Sequence, residues 1–470
     1  MVEMILKVQT GQLLKICADG HDQVDALDQS LGSLMREAGM NILVIGAYGL
    51  IGQSVCRELE SAGHKVTGLG RSIQKGRMII PQISWIGADL THLNNPAKWE
   101  RHLIGQDAVI NCAGLLQNGM SDNVSAVQFE AVKALVTACE ETGLKKLVHI
   151  SAPGVSEQSN TEFYQTKALA DKCISASKLD WTILRPGLVI APQAYGGTSL
   201  LRMLAAMPFL QPVMLADRQI QTVSVEDVAD AVRRCVESSD FSRRDFDLVE
   251  DEGHGLREIV LIFRQWLGGG RPVAILSAPL WLGRLVGRVA DLTGWLGWRS
   301  ALRTTSLKVL ELGVSGDAGP WREASGQVMK PLKQTMTALP ATSQEKLYAR
   351  AMLVFPLVLM LLSGFWIASG IIGLIRADAA RAVLADTLPA SMVNASVIGG
   401  GIGDIAIGAA MLFRPFCRLA CVASIGLALC YLVGAALFAP HLWADPLGPM
   451  VKVFPAIGLA LTILAIKPER

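Results

Sequence analysis

Two groups of residues in this chain have the types and spacing to do chemistry. The first is Ser151 with the run Phe163-Tyr164-Gln165-Thr166-Lys167. An ammonium, a phenol and a hydroxyl are groups that can pass a proton to or from a reacting oxygen. The second is Gly46, Gly49 and Gly52, spaced three apart directly after the apolar run Asn41–Ile45. Gly46 permits a tight turn, Gly49 lets backbone approach a pyrophosphate, and Gly52 lets the next helix pack close to the sheet. The phosphates then face the unpaired N–H groups and positive dipole end of that helix.

These groups need a frame, and the surrounding pattern supplies one. Asn41–Ile45 reads as a buried strand, Ile51, Val55 and Leu59 recur at helical spacing, Gly63 ends the helix, and Lys65–Leu69 reads as a second strand. The alternation continues through strands at Ile83–Ile86, Ala108–Asn111, Lys146–Ile150 and Trp181–Leu184, with helices at Val124–Thr142 and Tyr164–Ser177. This predicts an α/β doubly wound parallel sheet of the Rossmann type, with ligands at the carboxyl ends of the strands. The expected cofactor-binding residues are therefore Gly46, Tyr48, Gly49, Leu50, Ile51 and Gly52 at the first turn and helix start. Arg71, Asp89, Leu90, Ala113, Gly114 and Pro186 join them at later strand ends, and Lys167 on its helix. After Leu188 the pattern loosens into a small α+β substrate lobe, in which Ser224 and Asp227 cap one helix and residues 256–266 form another.

The residue ending the second strand discriminates between the two nicotinamide dinucleotides. An acid there accepts from a ribose 2′-OH, whereas a base meets a 2′-phosphate. Leu69-Gly70-Arg71-Ser72 has no acid and one arginine, with Lys75 nearby, so NADP(H) is favoured over NAD(H).

Composition sets the setting. Of 470 residues 51% are hydrophobic and 18% charged, which is too apolar for an ordinary soluble chain and points to membrane spans. Net charge is +2, so nothing favours nucleic acid as a partner. The nine cysteines show no CxxC; Cys417 and Cys421 share a helix face without further ligand partners, and no metal site is expected. Four apolar segments, at about 351–375, 392–413, 419–438 and 448–466, reach the length of a bilayer span. Arg350, Arg414, Arg418, Lys467 and Arg470 bias one side positive, which places both ends of this region and the nucleotide domain in the cytoplasm. The expected division is an N-terminal extension at 1–39, a nucleotide-binding domain with its lobe at 40–260, a helical linker at 261–345 and an all-α four-helix transmembrane bundle at 346–470. Met40 directly before the first strand reads as a natural start, with residues 1–39 a loosely attached extension; a helix over the sheet edge is the alternative. Residues 274–299, with Trp281, Trp295 and Trp298, read either as a core helix pair or as an interfacial helix on the membrane. Asp404 lies within the second span as a candidate for a proton path or polar ligand, and Lys452 near the outer end of the fourth as a snorkelling anchor.

Taken together, the glycine triplet, Gly87-Ala88-Asp89-Leu90, Asn111-Cys112-Ala113-Gly114, His149-Ile150-Ser151-Ala152 and Arg185-Pro186-Gly187 resemble the short-chain dehydrogenase/reductase superfamily. The shape is similar to its extended and atypical branches: sugar-nucleotide epimerases, NmrA-like redox sensors and the NADPH-binding accessory subunit of respiratory complex I. The resemblance covers about residues 40–260. It implies a catalytic set of Tyr164, Lys167 and Ser151, in which the Lys lowers the phenol's pKa and holds the nicotinamide ribose and the Ser assists. The family places its Tyr four residues before the Lys, but Phe163 stands there and Tyr164 is one residue too late. The last quarter resembles a DoxX-like four-helix domain, through Ser369-Gly370-x-x-Gly373 and Lys452-x-x-Pro455. The resemblance implies a membrane-tethered NADP(H)-binding oxidoreductase, or a non-catalytic NADP(H)-binding sensor or subunit of a membrane complex; the membrane tether alone suggests a lipid-soluble or quinone-like substrate.

Overall fold

A computed structural model describes residues 39–120, 122–298, 300, 302–385, 388–446 and 448–467. The expectation for residues 1–39 lies, Gly39 apart, outside them. Strand β1 (Asn41–Ile45) sits inside a seven-stranded parallel sheet with β2 (Lys65–Gly70), β3 (Ser84–Gly87), β4 (Ala108–Asn111), β5 (Lys146–Ile150), β6 (Asp180–Pro186) and β7 (Arg244–Leu248). The order is β7-β6-β5-β4-β1-β2-β3, so the chain reverses direction across the sheet between β1 and β4. Successive residues of β1 feed opposite faces, as pleating requires. Ile42 and Val44 join Val55, Leu59, Val228 and Phe246 in one core, while Leu43 and Ile45 join Leu135, Leu147, Ile174 and Ile183 in the other.

The sheet is flanked by α1 (Leu50–Ser61), α2 (Ala131–Thr142) and α3 (Glu162–Ser175), among other helices. The expected helix from Val124 contains a π-helical turn, Ala126–Glu130, before α2 begins. The lobe is built from three short strand pairs: Leu188–Ile190 with Thr222–Ser224, Leu210–Val213 with Ala274–Ser277, and Gln219–Ile220 with His254–Gly255. Ser224 caps the Val225–Glu237 helix by accepting from the Asp227 N–H at 3.0 Å.

Glu250 staples lobe to sheet. It is 1% exposed and accepts from the Thr222 N–H and hydroxyl at 2.8 and 2.6 Å, from the Leu332 N–H at 2.7 Å, and from His254 Nε2 at 3.2 Å.

The described residues 274–298 contain one helix rather than a pair. Helix α4 (Leu280–Trp295) follows the strand Ala274–Ser277. Its buried face is Gly283, Gly287, Ala290 and Gly294, and its exposed face carries Trp281, Leu285, Val289, Leu292 and Trp295.

The last region holds α5 (Ser343–Ile375), α6 (Ala390–Leu412), α7 (Arg414–Phe438) and α8 (Val453–Ile466). The first three are long and apolar enough to cross a membrane. The fourth differs from the expected span at 448–466: it has 14 residues, about 21 Å of rise against a hydrocarbon core of about 30 Å. Gly448 takes a positive φ of 56° and turns occupy 449–452, so Lys452 caps the helix instead of lying within a span. Helices α5 and α6 pack through glycine: a Cβ on Gly370 would lie 2.4 Å from the Gly401 carbonyl, and one on Gly408 2.8 Å from that of Ser363. Asp404, 4% exposed, accepts from Ser369 on α5 at 2.9 Å and from Tyr431 on α7 at 2.8 Å, tying three helices.

Glu250→Ala leaves several buried donors unpaired, at about 1 kcal/mol or more each. It is expected to lower the unfolding free energy of the purified chain by about 3 kcal/mol in a denaturant titration. A change below about 1 kcal/mol would contradict the staple role.

Candidate functional site

The reversal in strand order opens a crevice between the carboxyl ends of β1 and β4, the position where open α/β sheets bind ligands. On the β1 side, Gly46 adopts φ +73° and its N–H donates to the Leu69 carbonyl at 2.9 Å. A Cβ on Gly46 would lie 2.9 Å from the Ala113 N, so the β1 turn and the β4 end are in contact. A Cβ on Gly52 would lie 2.3 Å from the Gly46 carbonyl, which is why helix α1 can start so close to the turn. Gly49 is the N-cap of α1 and brings no side-chain cap, so the first-turn amides, with Leu50 and Ile51, are donors at the crevice. Tyr48 braces this edge. Its hydroxyl accepts from the Arg71 N–H at 3.0 Å, and its ring fills the space where a Cβ on Gly70 would stand.

Arg71 emerges at the end of β2 and its guanidinium pairs with Asp122 at 3.0 Å. Burial opposes its charge, but the hydrogen bond and charge of Asp122 outweigh this and raise its pKa. Asp89 is occupied locally, accepting from the Thr91 N–H at 3.0 Å and hydroxyl at 2.9 Å to cap the single turn Leu90–His92. Ala113 donates its N–H to Asn111 Oδ1 at 3.1 Å. Pro186 is buried at the end of β6, beside Ser151, whose N–H donates to the Leu184 carbonyl at 2.8 Å.

Lys167 is 5% exposed and donates to the Ile150 carbonyl at 2.8 Å. A Cβ on Gly114 would lie 3.9 Å from Lys167 Nζ and 3.7 Å from Gln128 Oε1, a buried acceptor with no hydrogen-bond partner among the described residues. Desolvation brings the Lys167 pKa down to about 8, with Asp171 and Cys112 opposing the fall. Below it lies a polar layer that the sequence reading missed. Asp171, one helical turn after Lys167, accepts from Ser151 Oγ at 2.9 Å and from Arg185 Nε and Nη2 at 3.2 Å each. Arg185 also pairs with Asp245. Asn111 turns its amide nitrogen toward His149 Nδ1 at 3.1 Å, since its oxygen already accepts from Ala113. His149 therefore carries its proton on Nε2, which faces Asp171 Oδ1 at 3.7 Å. Burial, with Lys167 and Arg185 adding to it, drives the His149 pKa well below the usual imidazole range, so the ring is neutral. Lys-x-x-x-Asp on one helix was the available signal for Asp171; the π-helical turn that aims Gln128 has no sequence signature.

The structure brings Gly114, Lys167 and Phe163 together, but not Tyr164. Lys167 Nζ stands over the Phe163 ring at 5.8 Å from its centroid, the helical i, i+4 relation. Tyr164, one residue on, is turned into the core at 3% exposure. Its hydroxyl makes no hydrogen bond among the described residues, and burial alone raises its pKa. Ser151 is committed to Asp171. The groups present fit a dinucleotide: a glycine cradle that side chains would block, uncapped helix amides, a buried ammonium and an unpartnered buried acceptor.

Comparison with known proteins bears on this geometry. Residues 46–239 match the NAD(P)H-binding family and residues 363–461 the DoxX-like family. Photosystem II assembly factor Ycf39 of Synechocystis sp. is 26% identical over 248 residues, covering 50% of this chain and 72% of that protein. A 2-alkyl-3-oxoalkanoate reductase of Stenotrophomonas maltophilia is 27% identical over 175 residues, covering 33% of this chain and 52% of the reductase. Among solved structures, the epimerase Mth375 of Methanothermobacter thermautotrophicus superposes with a TM-score of 0.50 at 14% identity, over 64% of this chain and 90% of the epimerase; this likeness concerns the fold. The chain thus joins an NAD(P)H-binding Rossmann domain of short-chain dehydrogenase/epimerase-like architecture to a DoxX-like domain.

Proposed function

We propose that this chain is a membrane-tethered NADP(H)-dependent oxidoreductase of the atypical short-chain type, multi-pass, with its head and carboxyl terminus in the cytoplasm and a lipid-soluble substrate. The observation that carries the reading is Lys167, buried at the strand ends beside Gly114 with a pKa near 8. When bound, the nicotinamide supplies or accepts the hydride. The chain's own part is to hold the ribose, exclude water and provide a proton. Phe163 has no proton to give, and Ser151 donates its own to Asp171. Lys167 Nζ is then the acid: its ammonium carries three protons, one of them donated to the Ile150 carbonyl. The Asp171–Arg185 pair fixes the charge balance beneath it.

NADP(H) is the preferred dinucleotide in this reading. Support comes from Arg71 at the end of β2 and from the lack of an acid at Gly70, Arg71 and Ser72. Membrane attachment is supported by the three apolar helices and the DoxX-like match. Arg414 and Lys467 lie together at the head side of the bundle, with Lys467 Nζ donating to the Arg414 carbonyl at 3.2 Å, so α8, though short, returns the chain to that side; by the positive-inside rule this supports a cytoplasmic head and carboxyl terminus.

A second reading has its own observation. Phe163 in the place of the family's tyrosine favours a non-catalytic NADP(H)-binding module that senses redox state or supports assembly of a membrane complex. The two relatives divide the same way, one named a reductase and the other an assembly factor.

Calorimetric titration of the full chain in detergent is expected to give NADPH about tenfold tighter binding than NADH, a difference of about 1.4 kcal/mol. Arg71→Ala should remove the difference by weakening NADPH alone; equal wild-type affinities would contradict the NADP(H) preference. As an enzyme, the chain oxidises NADPH with a rate that falls as pH rises through about 8, because the ammonium of Lys167 is the acid and is lost there. Lys167→Met should cost at least about 100-fold in turnover, while Tyr164→Phe changes it less than about twofold. NADPH binding without turnover on quinone or other lipid-soluble acceptors would favour the second reading.

A further inference from the structure

A cavity of about 780 Å³ lies where the head meets the bundle, and its lining comes from both. Gly119, Met120 and Asp122 enter from the loop after β4, Gly294, Gly297 and Trp298 from the end of α4, and Pro415 and Leu464 from the bundle. Among the described residues its cations are Arg303, Arg414, Arg418 and Lys467, against one lining carboxylate, Asp122, which is itself paired with Arg71. Arg303 is balanced by Asp291 at 3.2 Å. Arg418 is exposed and makes no ion pair among the described residues. Among the described residues the surplus, carried by Arg418 and Lys467, is therefore positive, beside an apolar wall of Trp298, Leu464 and Ala465.

The cavity's place in the fold identifies what such a lining would meet. The Arg414 N–H donates to the Leu296 carbonyl at 2.9 Å and Trp298 Nε1 donates to the Leu412 carbonyl at 2.6 Å, so the end of α4 is bonded to the turn between α6 and α7. That turn ends two of the apolar helices, which puts the cavity at the height of the lipid headgroups. Helix α4 ends at the same point, with its small residues turned inward and Trp281, Leu285, Val289, Leu292 and Trp295 outward. Large residues out and small residues in is the reverse of a soluble surface helix, and fits a helix lying in the interfacial plane. Arg288 is exposed on the same helix, while Arg284 pairs with Glu311 at 3.5 Å.

We propose that this cavity binds the phosphate headgroup of an anionic phospholipid of the head-side leaflet, with α4 immersed in that leaflet beside it. The proposal rests on the membrane reading given above. Arg414, Arg418 and Lys467 meet the phosphate, while Trp298 and Leu464 meet the glycerol and first methylenes. Because Asp122 lines the cavity and also pairs with Arg71, the loop carrying it touches both the lipid site and the proposed 2′-phosphate site.

The full chain in nonionic detergent would be titrated calorimetrically with dihexanoyl-phosphatidylglycerol, dihexanoyl-phosphatidylcholine and inorganic phosphate. Phosphatidylglycerol is expected to bind saturably and at least tenfold tighter than the other two. The double substitution Arg418→Gln with Lys467→Gln should weaken it at least tenfold, whereas Arg381→Gln, in the short helix Ala377–Leu384 between α5 and α6, should not. Equal binding of the two lipids would overturn the proposal, as would an unchanged double variant. Phosphate binding as tightly as the lipid would assign the site to a small anion instead and overturn the lipid. Carbonate extraction of membranes separates the two levels: a chain released to the supernatant overturns the membrane reading itself, while a retained chain without lipid preference overturns only this site.

Discussion

Ala349 and Phe355 lie on one uninterrupted helix and belong to different hydrophobic cores. Ala349 packs with Leu332, Met336 and Leu339 of the head, and Phe355 with Leu362, Cys417 and Ala460 of the bundle. A helix of 33 residues, about 50 Å long, is a stiff connector, so the head cannot drift relative to the bundle as a flexibly linked domain would. Pro356 falls at the change from one core to the other and removes one helical hydrogen bond there, the position at which such a helix bends. The bonds from Trp298 to Leu412 and from Arg414 to Leu296 make a second attachment. Two attachments fix orientation as well as distance, which keeps the crevice between β1 and β4 at a set height above the bundle.

Within the crevice, backbone and side-chain groups form separate layers. The glycines and helix amides make an anion cradle from backbone alone. The titratable side chains lie one layer deeper, where Lys167, Asp171, Arg185, His149 and Ser151 share a buried polar network. Such networks are stable only when nearly every group is paired. Here Asn111 orients His149, Ser151 and Arg185 supply Asp171, and the backbone of Ile150 takes one proton of Lys167. Gln128 Oε1 is left at the edge next to Gly114, aimed at the space a ligand would enter. Replacing a tyrosine with Phe163 removes a hydroxyl from this edge without disturbing the layer beneath.

Much of this was legible in the sequence, and the parts that were not share a cause. β1 to β6 are marked by β-branched runs that end in glycine or small residues, so the sheet and its strand ends could be read directly. β7 (Arg244–Leu248) could not, because an edge strand buries only Phe246 and Leu248 and otherwise shows charge. The fourth apolar segment counted enough residues for a span, but Gly448 and Pro449 break its start, and hydropathy does not register backbone conformation. Helix α4 was ambiguous because its apolar content is the same in a core or at an interface; only the sorting of small residues inward and large residues outward separates the two. Phe163 and Tyr164 could be told apart as a one-residue shift, but which of them shares a face with Lys167 depends on where helix α3 begins.

The account stands on the glycine turn as a dinucleotide cradle. Its most direct test is the fluorescence of NADPH titrated with the full chain in detergent, compared with Gly52→Val. A valine Cβ at that position would meet the Gly46 carbonyl at 2.3 Å and push the turn away from helix α1. The wild type is expected to enhance and blue-shift the nicotinamide emission saturably, and Gly52→Val, still folded by circular dichroism, to leave it unchanged. An undiminished response in Gly52→Val, or none in the wild type, would contradict the account.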